Sequence, residues 1–255
     1  MNKVKIVREY GPVIYRDIPS EWEELTPEQV VFIAPRMLNF RPDIQAMKDE
    51  IMAKFMQIRN KDLRRLNIAQ MNGLHKALNF LWEKNDLTTN PLPLLKIRFR
   101  KYHGPGPRMK DISFGQFMIA DTFFLKYMRS RSPEDLNMFV ASLYYRKEFD
   151  ASKVERVAQK LRRAKMDKKL AVVLFFTGCR NYINNRFPLL FPKPAKGESK
   201  AKGNKASWGD VLISLVGENP AEKDRVEKLD LYFALAFLES QIRRSRELKE
   251  KYNLK

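Results

Sequence analysis

The strongest constraint on this fold is the apolar spacing of FGQFMIADTFFLKYMRSRSPEDLNMFVASLYYRK, residues 114–147. Phe114, Phe117, Phe123, Phe124 and Tyr127, then Phe139, Tyr144 and Tyr145, recur at helical spacing. Aromatics at this period predict core packing between helices rather than a cofactor box. The pattern recurs over 150–165, 167–187, 208–216 and 221–252, and the first half of 167–187 is apolar all round, as in a buried helix. Ser113 and Ser132 stand where helix N-caps are needed, with Pro133 at a first helical position. A chain of this kind folds as a helical bundle.

The N-terminal part is less uniform. VKIVREYGPVIYRDIP, 4–19, predicts a hairpin around Tyr10-Gly11-Pro12. Helices are predicted over 24–38, with Thr26 as N-cap and an end or kink at Pro35, then over 43–58 and 62–84. LKIRFRKY, 95–102, alternates as a half-buried strand, with Leu95, Ile97 and Phe99 inward and Lys96, Arg98 and Arg100 outward. The expected fold class is therefore mainly α: a helical bundle with a small N-terminal β element, made of the hairpin and one further strand that could share its sheet. The expected division is 1–110 for the hairpin, first helices and basic strand, and 111–255 for the bundle. A flexible basic loop is expected to interrupt the bundle at 193–207, and Trp208 to anchor the returning chain.

Charge narrows the class of partner. Lys and Arg number 49 against 30 Asp and Glu, a formal charge of +19. Such an excess implies an anionic partner: nucleic acid, an acidic protein or a lipid surface. The run LAVVLFF, 170–176, is far below the roughly 20 apolar residues of a membrane span. The N-terminus lacks the apolar core of a signal peptide, and the single Cys179 allows no disulfide within the chain, so an intracellular compartment is expected. With one Cys and two His, no Cys/His zinc site is expected. His75 lies between apolar turns, His103 opens a Gly-Pro-Gly loop, and Cys179 has no His nearby in sequence. The stretch contains no HExxH, GxSxG or GxxxxGK[ST] pattern. A non-enzyme without cofactor is the expectation.

Three basic groups are the candidate binding residues. The first is the strand and loop, with Lys96, Arg98, Arg100, Lys101, Arg108 and Lys110, and Tyr102 among them as an aromatic able to stack a base. The second is Lys153, Arg156, Lys160 and Arg163, stacked along one helix face. The third is the lysine loop, with Lys196, Lys200, Lys202 and Lys205.

The segments IPSEWEELTPEQ (18–29), 114–147, NRFPLLF with its following basic loop, and SWGDVLISLVGE…LDLYFALAFLE (207–239) together resemble proteins from the tail-gene region of phages and prophages. That resemblance implies a tail assembly chaperone or tail-associated virion component, located in host cytoplasm or in the virion. It implies a helical, acidic protein partner, and Leu229, Tyr232, Phe233, Ala236 and Phe237 on the apolar side of the last helix either face that partner or close the protein's own core. A nucleic-acid-binding protein that contacts phosphates through the three basic groups is the alternative reading.

Overall fold

A computed structural model describes residues 1–6, 13–38, 43–63, 65–192, 207–217 and 219–252. The protein is mainly α, with a small β element. In chain order the elements are β1 Asn2–Ile6, β2 Ile14–Ile18, α1 Pro27–Leu38, α2 Ile44–Met56, α3 Asn60–Leu63 and α4 Ile68–Ala77. Then come β3 Leu94–Ile97, β4 Arg100–His103, α5 Phe114–Ser130, α6 Pro133–Leu143, α7 Val154–Leu161 and α8 Met166–Arg186. The series closes with α9 Trp208–Val216, α10 Lys223–Glu227 and α11 Leu231–Lys251. Cα proximity groups Met1–Leu92 with Lys165–Cys179 as one compact unit, and Pro93–Ala164 with Arg180–Lys255 as another. The β3–β4 hairpin and the loop to Lys110, which the sequence reading grouped with the N-terminal half, count in the second unit.

In the first unit β1 and β2 pair antiparallel from Asn2↔Ile18 to Ile6↔Ile14, while the expected turn lies outside the described residues. Thr26 and Gln29 exchange side-chain and backbone bonds at the start of α1. That helix continues through Pro35 to Leu38 instead of stopping there. The helix expected over 62–84 divides at Asn67, whose side chain caps α4 in a reciprocal box with Gln70. His75 ties α4 to α2: Nε2 donates to Asp49 Oδ1 at 2.8 Å, and Nδ1 accepts from Gln45. Both ring nitrogens are engaged by α2, so this buried histidine is a structural clamp.

The first half of α8 completes this unit's core, with Leu170 to Phe176 all buried. Its path is set by Gly178, where an added Cβ would overlap the Leu87 carbonyl oxygen. The neighbouring Cys179 is fully buried and donates weakly to the Thr88 carbonyl oxygen at 3.8 Å, an inert thiol in a packed seam.

In the second unit α5, α6 and α7 form the expected aromatic seam. Phe114, Phe117, Phe139 and Tyr144 are buried within it. Asp121, on α5, is 2% exposed and has both oxygens used. Oδ1 accepts from Arg180 Nε at 2.6 Å and Oδ2 from Trp208 Nε1 at 2.9 Å. Trp208 also stands edge-on to Phe114, Phe117 and Phe191, so the chain re-enters the bundle on this ring as expected. The last predicted helix is two helices: Asp230 breaks it and caps α11 through Phe233 N at 2.8 Å. The two hairpins form separate two-stranded sheets instead of one shared sheet.

Replacing Gly178 by Ala is expected to lower unfolding stability by about 3 kcal/mol or more, because the clash is with backbone that cannot rotate away. Chemical denaturation of Gly178→Ala beside Gly73→Ala, where a Cβ meets nothing within 4 Å, checks this.

Candidate functional site

The expected strand over 95–102 is two strands. A two-residue turn at Arg98-Phe99 joins β3 to β4, with Leu95↔Tyr102, Lys96↔Lys101 and Ile97↔Arg100 directly opposite. Arg98 has a left-handed φ of 53°, the sign that a type II′ turn requires at its first central residue. This turn reassigns every side chain after Ile97, because opposed residues share a face.

One face of the hairpin carries Leu95, Ile97, Arg100 and Tyr102; the other carries Lys96 and Lys101. Tyr102 is 1% exposed and belongs to the core, so it offers no free ring for stacking. Phe99, expected inward, is instead fully exposed at the tip, at 102% of its reference area. The inner positions on this side of the hairpin are already filled by Leu95, Ile97 and Tyr102.

The hairpin's inner face and α7 together enclose a cleft of about 420 Å³. Arg98, Phe99 and Arg100 form one wall; Gln159, Lys160 and Arg163 form the other. α7 reaches this position because Val154, Ala158 and Leu161 are buried against the core, which turns Lys160 outward on the flank. The chain after α6 closes the hairpin's far edge. His103 and Tyr145 exchange backbone bonds of 2.7 and 3.1 Å, and Arg146 follows directly. The helix expected to run to Lys147 stops at Leu143 because Tyr144 turns to extended backbone to make this pairing.

Positive charge accumulates here without compensation. Among the described residues no carboxylate forms an ion pair with Arg98, Arg100, Lys160 or Arg163. The Lys160 ammonium is held below the ordinary lysine value. The first cause is desolvation, followed by the positive charges of Arg100, Arg156 and Arg146. Two of the three predicted basic groups thus meet in space, though only in part.

The remaining predicted residues separate. Lys96 and Lys101 face away from the cleft. Lys153 is paired with Asp150 at 2.6 Å, at the start of the turn that leads into α7. Arg108 and Lys110 belong to a different cluster. The Arg108 guanidinium lies 5.0 Å from the ring centroid of Tyr182, whose phenol is held below its usual value first by its bond from Arg186, with Arg108, Arg186 and Lys110 adding positive charge. Lys196, Lys200, Lys202 and Lys205 lie outside the described residues.

Sequence reasoning missed Phe99, Gln159 and Arg146 as site residues. One signal for the turn was present: the apolar parity kept by Leu95, Ile97 and Phe99 slips by one at Tyr102. Among the described residues no cluster of three or more His, Cys, Asp or Glu is placed to hold a metal, and no helix is long and apolar enough to cross a membrane. Compared with family models, curated proteins and solved structures, the chain has no match.

The depressed Lys160 value has a definite sign. Between the lowered folded value and 10.5 the unfolded chain binds more protons than the folded one, so stability rises with pH through that window. Lys160→Gln is expected to raise the denaturation midpoint at neutral pH and to remove that site's contribution to the alkaline rise. Denaturant titrations of both proteins between neutral pH and the ordinary lysine range provide the check.

Proposed function

We propose that the protein is a non-enzymatic nucleic-acid-binding module that grips phosphates in the cleft between the β3–β4 hairpin and α7. The observation that carries this reading is the convergence of Arg98, Arg100, Lys160 and Arg163 on one concave surface, with no carboxylate paired to them among the described residues. Mutual repulsion makes such a cluster unfavourable in isolation, and a polyanion relieves it. Arg156 and Arg146 extend the positive field around the cleft. Contacts of this type position a nucleic acid backbone without reading sequence.

Phosphate neutralisation releases counterions, so the logarithm of affinity should fall linearly with the logarithm of salt. Arg100→Gln and Lys160→Gln are each expected to weaken binding and to make the slope shallower by about one unit. Anisotropy titrations of labelled oligonucleotides across a salt series measure both. Absence of binding at low salt, or a slope unchanged by either variant, would contradict the proposal.

A second reading, a tail assembly protein docking a helical partner, is favoured by a different surface. On α11 the core side is Leu231, Ala234, Leu235 and Leu238, whereas Phe233 and Phe237 are 61% and 46% exposed one turn apart. α9 likewise contributes no fully buried residue despite its apolar sequence. Exposed aromatics at this spacing suit helix-on-helix docking. If this reading holds, co-expression with the helical product of an adjacent gene raises that product's solubility, and Phe233→Ser with Phe237→Ser abolishes the effect. Equal solubility with and without the protein would remove it.

A further inference from the structure

We propose that the cleft selects single-stranded nucleic acid, with an unpaired base stacked on the ring of Phe99. The proposal rests on the nucleic-acid reading above and adds to it the form of the strand. A fully exposed phenylalanine forgoes the burial that would stabilise it elsewhere, and here the chain also holds Arg98 in left-handed backbone to turn the tip outward. The ring is bracketed in sequence by Arg98 and Arg100, and all three residues line the cleft. That arrangement matches a nucleotide whose base meets the ring while its neighbouring phosphates meet the guanidinium groups. Gln159, on the facing wall, brings an amide that both donates and accepts, the chemistry of a base edge.

Duplex fits the same surface poorly. Its base faces are covered by stacked neighbours, and exposing one costs unstacking energy that a single strand does not require. The cleft is concave and, at about 420 Å³, on the scale of a small-ligand site, which admits a nucleotide but not the convex side of a double helix. α7 is eight residues long and buries Val154, Ala158 and Leu161, so it is not free to enter a major groove as a reading helix. An anionic bilayer would also attract an aromatic tip ringed by cations. A planar surface, however, meets the tip without filling the concave space between the hairpin and α7.

The test uses the full chain and three probes: an oligothymidylate, a duplex with the same number of phosphates, and phosphatidylserine vesicles. Phe99→Ala and Phe99→Trp are compared with the unaltered protein. Both variants are expected to melt as the parent does, since the ring is fully exposed. The proposal expects tighter binding of the oligothymidylate than of the duplex. It also expects roughly a tenfold or greater loss of single-strand affinity in Phe99→Ala, with an unchanged salt slope, and quenching of the added tryptophan by the oligonucleotide.

If single strand and duplex bind equally and Phe99→Ala changes neither, the stacking proposal fails while phosphate binding by the cleft stands. If neither nucleic acid binds, the nucleic-acid reading fails and this proposal with it. A blue shift of the added tryptophan on vesicles, without quenching by the oligonucleotide, would overturn the proposal in favour of a lipid surface.

Discussion

The cleft between the β3–β4 hairpin and α7 depends on apolar burial behind it, because the cations that line it repel one another. Desolvation first, and then the positive charges of Arg100, Arg156 and Arg146, disfavour the charged form of Lys160. Among the described residues no ion pair joins the two walls, and apolar burial behind them fixes their placement. The apolar side of α7 supplies part of that hold through Val154, Ala158 and Leu161. On the hairpin side, Leu95, Ile97 and Tyr102 are buried beneath the cations, and the bridge between His103 and Tyr145 ties the strand edge to the chain leaving α6.

A part-buried ion pair of this unit lies away from the cleft, inside the bundle. Asp121 balances Arg180 and also accepts from Trp208, so a single carboxylate on α5 fixes both the later half of α8 and the start of α9. Removing water from a carboxylate is tolerable only when its lone pairs are satisfied, and here both oxygens are. Arg180 is paired with a buried carboxylate, whereas among the described residues Arg98 and Arg100 of the hairpin form no ion pair. That contrast is why the cleft, rather than the overall excess of +19, is the informative electrostatic feature.

Much of the architecture was legible in the sequence because it depends on local terms. Ser113, Ser132 and Ser207 cap the helices they precede, and α5, α6 and α9 begin where those residues place them. The boundaries that were missed are those set by long-range pairing or by a cap of modest signal. Tyr144 turns to extended backbone so that Tyr145 pairs with His103, Asn67 divides one apparent helix into two, and Asp230 divides another. For the site, the residue classes were visible but their grouping was not. One reverse turn at Arg98-Phe99 sent Arg100 to one face, Lys96 and Lys101 to the other, and Phe99 into solvent.

The sequence alone determined that this chain forms capped, amphipathic helices, carries a large positive excess and presents its basic residues in short clusters. Those properties follow from side-chain chemistry and from spacing within a few residues along the chain. Only the tertiary structure decided which cations meet. Distance between Arg100 and Lys160 depends on a turn, a strand register and the buried side of a helix acting together, and no local rule fixes all three. The tertiary structure likewise decided that Tyr102 is core and Phe99 is surface, because burial depends on which inner positions other segments have already filled.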